Sequence, residues 1–192
     1  MAMIPPKKAT AANFELCPAG PQRLICVDII DWGVVSSPFS GKERMQHKIS
    51  LRWQSEHHMK TGKKLPYLVQ KRYTFSMHEK ASLRLDVNGW RGTPLTDEEA
   101  AVFDLEKLLG RTCFANIAHV KKPRGTFAEV VALMPLPRGM AKLTVEGYTR
   151  MTERKPGEVH DDHGQGEAYE GPESANADTS FDEPQGPEPP EF

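Results

Sequence analysis

RLICVDIIDWGVVSS, residues 23–37, is the stretch on which the fold turns. Its β-branched residues run almost unbroken, and a single glycine, Gly33, interrupts them. It reads as one long strand that bends at the glycine, where a missing side chain permits a bulge or a sharp coil. The 22 residues before it are rich in Pro, Ala and Lys and read as a flexible N-terminal arm.

Beyond it, PFSGK (38–42) is a turn, and ERMQHKISLRWQS (43–55) alternates. Met45, His47, Ile49, Leu51 and Trp53 fall on one face, with Arg44, Gln46, Lys48, Ser50 and Arg52 on the other. A period of two over that length predicts a half-buried strand. KTGKK (60–64) turns the chain into a third strand, LPYLVQKRYTFSM (65–77).

Two start signals for helices follow. Ser76 with Glu79 has the spacing of a capping box and predicts a helix to about Trp90. Thr96 with Glu99 repeats the device before DEEAAVFDLEKLL. That second helix places Val102, Leu105, Leu108 and Leu109 on one stripe and ends at Gly110. RTCFANIAHVKK (111–122) and GTFAEVVALMPL (125–136) then form a hairpin around KPRG.

The order β-β-β-α-β-β predicts a mainly β protein. Its expected form is a five-stranded Greek-key barrel of the oligonucleotide/oligosaccharide-binding (OB) type, with helices between strands three and four. The rival is an open antiparallel sheet with helices on one face. The chain divides into the arm (1–22), an OB domain (23–140), a connector (141–155) and a disordered acidic tail (156–192). Trp53 and Phe75 are assigned to the core, as are Cys26 and Cys113 in their apolar runs.

Charge separates these parts. Residues 156–192 hold eleven acids and no Lys or Arg. The other 15 of the 26 acids face all 25 Lys and Arg, so residues 1–155 carry +10. A basic body with an acidic tail points to nucleic acid. No apolar run approaches the about 20 residues that span a bilayer, and the N-terminus lacks a secretory stretch, so a cytoplasmic location is expected.

Catalytic signatures are absent: there is no GxxxxGK[ST] loop and no GxSxG elbow, and Asp28 and Glu43 lack nuclease partners at a recognisable spacing. The three cysteines have no zinc-site spacing. His47, His57 and His58 read as one packed imidazole and two solvated turn residues, and HDDH (160–163) as part of a solvated tail. No enzyme, metal or cofactor is expected.

Cations fall where an OB barrel takes an oligonucleotide, across strands two and three and in the 1–2 and 4–5 loops. Arg44, Lys48 and Arg52 line strand two, and Arg72 lies on strand three. Lys60, Lys63 and Lys64 lie in the 2–3 turn, Phe39 and Lys42 in the 1–2 loop, and Lys121, Lys122 and Arg124 in the 4–5 loop. Such groups release counterions on meeting phosphates, and aromatic rings stack on unpaired bases. Trp32, Phe39, Tyr67 and Tyr73 are the candidate rings.

The tail closes on GPEPPEF. Polar and proline-rich, it cannot bury enough apolar surface to offset its chain entropy. Phe192, with its carboxylate and neighbouring acids, suits a small apolar pocket rimmed by Arg or Lys on a partner. This body, tail and terminal Phe resemble the single-stranded-DNA-binding proteins of bacteria and their phages. SMHEKASLRLDVNGWRGTPLTDEE (76–99), FDLEKLLGRTCFANIAHV (103–120) and MPLPRGM (134–140) also resemble small tailed-phage replication and recombination proteins.

The resemblance implies a phage protein that coats single strands and recruits replication or recombination proteins through Asp182, Glu183, Glu188, Glu191 and Phe192. A homodimer is compatible with it. The alternative is a phage protein-interaction adaptor or inhibitor whose tail mimics DNA.

Overall fold

In a computed structural model, residues 15–39, 42–60, 62–123 and 125–155 are described, without the side chains of 37–39 and 42. Five strands form one antiparallel sheet: β1 (Gly20–Phe39), β2 (Lys42–His58), β3 (Pro66–Thr74), β4 (Thr112–Lys122) and β5 (Gly125–Met134). Between β3 and β4 lie α1 (Ser82–Arg91), α2 (Asp97–Ala101) and a 3-10 turn at Leu105–Leu108.

The spatial order is β3-β2-β1-β4-β5. β1 is central because it is long enough to serve two neighbours. Gly20–Ile25 pairs with β4, and Leu24–Phe39 pairs with β2. Its register slips twice, between Cys26 and Asp28 and between Asp31 and Gly33. An extra residue in one strand bends it and tightens its twist. The second slip lies where the sequence places the bend, and Gly33 there has φ +67°, a conformation that side chains disfavour.

The coiled sheet brings its two edges, β3 and β5, near one another, and α1 packs on both. Among the described residues no ladder joins β3 to β5, so the sheet is open rather than closed into a barrel. The inward faces of all five strands and α1 share one core, including Leu24, Cys26, Leu51, Trp53, Val69, Cys113, Ala115 and Val130. Leu83, Val87 and Trp90 form the buried stripe of α1, and Trp90 lies 6.3 Å from Trp53 between ring centroids. Burial pushes the Cys26 thiol up to about 12.

Several elements differ from the sequence reading. α1 begins at Ser82 behind Ala81, with no side-chain cap, while Ser76 Oγ accepts from the His78 amide instead. The Thr96–Glu99 capping box is present in both directions. The helix it opens ends at Ala101, and Asp104 caps a separate 3-10 turn by accepting from the Glu106 amide. Val102, expected on the apolar stripe, is exposed. Phe75 is 47% exposed, and Met45 also lies outside the core. Both occur where the β1–β2 hairpin runs past the last β3 pair, Lys48–Thr74.

Residues 15–22, read as arm, are tied to the body. Cys17 is buried, the Glu15 carboxylate accepts from the Tyr67 hydroxyl and the Lys60 amide, and the Cys17 carbonyl contacts His119 Nε2 at 2.8 Å. No described helix is long and apolar enough to cross a membrane.

α1 meets β5 at two glycines. Gly92 caps the helix at φ +73°, and a Cβ there would lie 2.6 Å from Pro135 Cγ. A Cβ on Gly89 would lie 2.6 Å from the Leu133 carbonyl oxygen. Replacing a helical glycine by alanine ordinarily gains up to about 1 kcal/mol. Here that gain opposes overpacking against backbone, which costs about 1–3 kcal/mol. Gly89→Ala should therefore destabilise the protein by about 1–2 kcal/mol in urea unfolding. A stabilised variant would show that α1 is not seated on β5.

Candidate nucleic-acid interface

Register decides which side chains share the outward face of the sheet. Trp53, Leu51 and Ile49 of β2 point into the core, so Gln54, Arg52, Ser50 and Lys48 point away from it. Opposite them on β3 stand Leu68, Gln70, Arg72 and Thr74. On β1, Ile25, Asp28 and Ile30 complete the face.

At one end of this face, Trp32 sits at the second bulge, half-buried. Its indole N–H donates to Ser50 Oγ at 2.8 Å, which fixes the ring's plane. The exposed Arg72 guanidinium lies over the ring, 5.0 Å from its centroid. Lys48 Nζ donates to Thr74 Oγ1 at 2.9 Å nearby. Across the bulge the Asp31 carboxylate accepts from the Gly33 amide and pairs with His47 Nε2, and these contacts hold it below its ordinary range.

The other end is covered. Residues 141–155, read only as a connector, cross the sheet as an irregular strap. Gln54 pairs with the Glu146 backbone in both directions, donating at 2.6 Å and accepting at 3.0 Å. The Tyr148 hydroxyl donates to Asp28 Oδ2 at 2.8 Å and accepts from Arg52 Nη1 at 3.1 Å. The Met151 amide donates to the same Asp28 oxygen, and Arg150 stands between Asp28 and Glu106. Asp28 is fully buried beneath them.

The expected solvated row on β2 is buried, Lys48 being 5%, Ser50 2%, Arg52 9% and Gln54 3% exposed; the strap bonds Arg52 and Gln54, while Ser50 and Lys48 are bonded to Trp32 and Thr74. Polar residues at alternate positions are outward-facing, as read, but outward does not mean open to solvent. Arg44, Lys63, Lys64, Arg72 and Lys121 are exposed, and Lys122 pairs with Glu129 at 2.5 Å. Lys63 and Lys64, in the β2–β3 turn, and Lys121 and Lys122, at the end of β4, lie toward the Gly20 end of β1 by register, while Arg44 and Lys48 pair opposite Ser37 and Gly33 near its other end.

Of the candidate rings, Tyr67 and Tyr73 are buried in the core, with Tyr73 donating to Asp86 at 2.8 Å, so neither presents a face to a base. The Phe39 and Lys42 side chains, Arg124, HDDH and the tail residues Asp182, Glu183, Glu188, Glu191 and Phe192 lie outside what is described. Among the described residues, no three of His, Cys, Asp and Glu are grouped to hold a metal ion.

Asp28, Gln54, Glu146, Tyr148 and Arg150 were not marked as site residues by the sequence. The available signal was Tyr148, the lone aromatic of the connector.

With this geometry in place, comparison with known proteins adds no relative: no family model and no curated protein matches the chain.

Burial pushes the Tyr148 phenol up to about 12; Arg52 opposes the rise, and the Asp28 carboxylate adds to it. The folded protein therefore keeps this proton more tightly than an unfolded chain with an ordinary value of 10.0. Its contribution is complete below pH 10 and is lost as the pH rises toward 12. In denaturant titrations across that window, the wild-type midpoint should fall more steeply than that of Tyr148→Phe. Parallel curves would mean that Tyr148 is solvated.

Proposed function

We propose that this protein is a non-catalytic single-stranded-DNA-binding protein of phage replication or recombination. The observation that carries the reading is the Trp32–Arg72 stack on the outward face, with Ser50 holding the ring and Lys48 close by. A cation and an aromatic side by side match the two repeating parts of a single strand, phosphate and base.

The strand order supports the same conclusion. β3-β2-β1-β4-β5, with a helix on both edges, is the order of an OB barrel opened between β3 and β5. An excess of ten positive charges over residues 1–155 supplies attraction that is blind to sequence. The acidic tail, as in the proteins it resembles, offers Phe192 to replication or recombination partners and competes with DNA for the body.

Fluorescence anisotropy on the full chain, with a labelled oligo(dT) and a duplex of equal length, tests the proposal. The single strand should bind more tightly, with log affinity falling at about −0.7 per phosphate neutralised as log salt rises. Trp32→Ala should weaken binding by about 1–3 kcal/mol, roughly 5- to 150-fold. Arg72→Glu should weaken it and flatten the salt slope. Absence of binding at low salt, or equal affinity for the duplex, would sink the reading.

A further inference from the structure

We infer that residues 141–155 are a displaceable strap over the Arg52–Gln54 end of a polyanion-binding row on β2, latched to the sheet by Asp28. The inference rests on the single-strand reading above and concerns how that same face is uncovered.

The manner of attachment is the first argument. No residue of 141–155 is buried, and its apolar side chains Val145 and Met151 are 44% and 40% exposed. The strap is held by polar contacts to the body, chiefly on Gln54, Arg52 and Asp28. A segment whose most covered apolar side chains, Leu143 and Tyr148, are only half-buried depends chiefly on hydrogen bonds, which can be exchanged for others.

What lies beneath is the second argument. Arg52 and Gln54, the two residues of the row that the strap bonds, are polar, although each is less than a tenth exposed. A strand face covered permanently is ordinarily built from apolar residues. This one carries a cation and an amide, and the row runs on at alternate positions to Ser50 and Lys48 beyond the strap's contacts, the chemistry of a phosphate-tracking surface.

Charge supplies the third. The strap carries Lys142, Arg150, Arg154 and Lys155 against Glu146 and Glu153, so it is basic. It does not mimic a polyanion; it answers the acids of the body. Arg150 lies 3.6 Å from Asp28 and 2.8 Å from Glu106, and Asp28 Oδ2 also accepts from Tyr148 and Met151.

A ligand shifts such an equilibrium only by its differential affinity for the two states. A polynucleotide has that difference, because its phosphates offer acceptors to Arg52 and to Arg150 together once Tyr148 and Asp28 release them. Asp28 sets the threshold: while it collects three strap groups, that end of the row stays covered.

The test compares the wild-type full chain, Tyr148→Phe and Asp28→Asn for binding to labelled oligo(dT). Circular dichroism identifies any variant that does not fold, and Tyr148→Phe carries the comparison if Asp28→Asn is lost. Amide hydrogen exchange of the wild type, with and without oligo(dT), follows Leu143, Glu146 and Met151, whose N–H groups bond Thr112, Gln54 and Asp28.

Loosening the latch should tighten oligo(dT) binding at least about fivefold in each variant. The three amides of the wild type should lose protection when the oligonucleotide is present. Equal or weaker binding by the folded variants, or unchanged exchange on saturation, overturns the strap while leaving the DNA reading intact. Failure of all chains to bind overturns the DNA reading and the strap with it.

Discussion

Side-chain alternation along β1 is interrupted twice, and the placement of nearly everything else follows from those interruptions. Leu24 and Cys26 face the core. Unbroken alternation would put Asp28 there as well, a carboxylate against Leu51 and Trp53, at a desolvation cost no hydrophobic contact could offset. The slip after Cys26 reverses the parity, so that Asp28 pairs opposite Arg52 on the outward face. The slip after Asp31 opposes Lys48 with Gly33 and leaves Trp32 as the inserted residue, its indole reaching Ser50. One strand thereby supplies core, latch and half-buried ring, and its added twist draws β3 and β5 toward the helix between them.

Some of this was legible. Gly33 announced the second slip because only glycine takes φ +67° without strain. KPRG announced the β4–β5 hairpin, and Thr96 with Glu99 announced α2, since each signal is local and nothing distant competes with it. The first slip carries no such mark. Val27 is an ordinary strand residue, and the evidence that it is the extra one lies in the pairing of Trp53 with Cys26 and of Arg52 with Asp28.

Where the sequence misled, longer-range geometry prevailed. Ser76 and Glu79 have capping-box spacing, yet Arg84, buried in α1, binds the Met77 and Leu95 carbonyls and Asp97, fixing the chain on both sides of the helix. Val102 has helical spacing with Leu105, but Asp104 captures the Glu106 amide and starts a new turn. Met45 sits on a core-facing position of a hairpin that outruns its neighbour strand, and Phe75 lies just past the end of that strand, β3. Period-two counting sees which face a residue takes; it does not see where the neighbouring strand stops.

The outward face shows the same limit from the other side. Arg44, Lys48 and Arg52 recur every fourth residue, and in a sequence that pattern is identical for a solvated row and for one beneath a polar cover. For Arg52 the distinction resides in Tyr148, about a hundred residues away in a segment with no periodic hydrophobic pattern. A cover made from apolar residues would have been visible as a strand or an amphipathic helix, and it would also have been hard to remove. A cover held by polar contacts, to Gln54, Arg52, Thr112 and the Asp28 carboxylate among others, is inconspicuous in sequence for the reason that makes it suited to exchange: its contacts are each worth about 1–3 kcal/mol and can be replaced by those of a charged ligand.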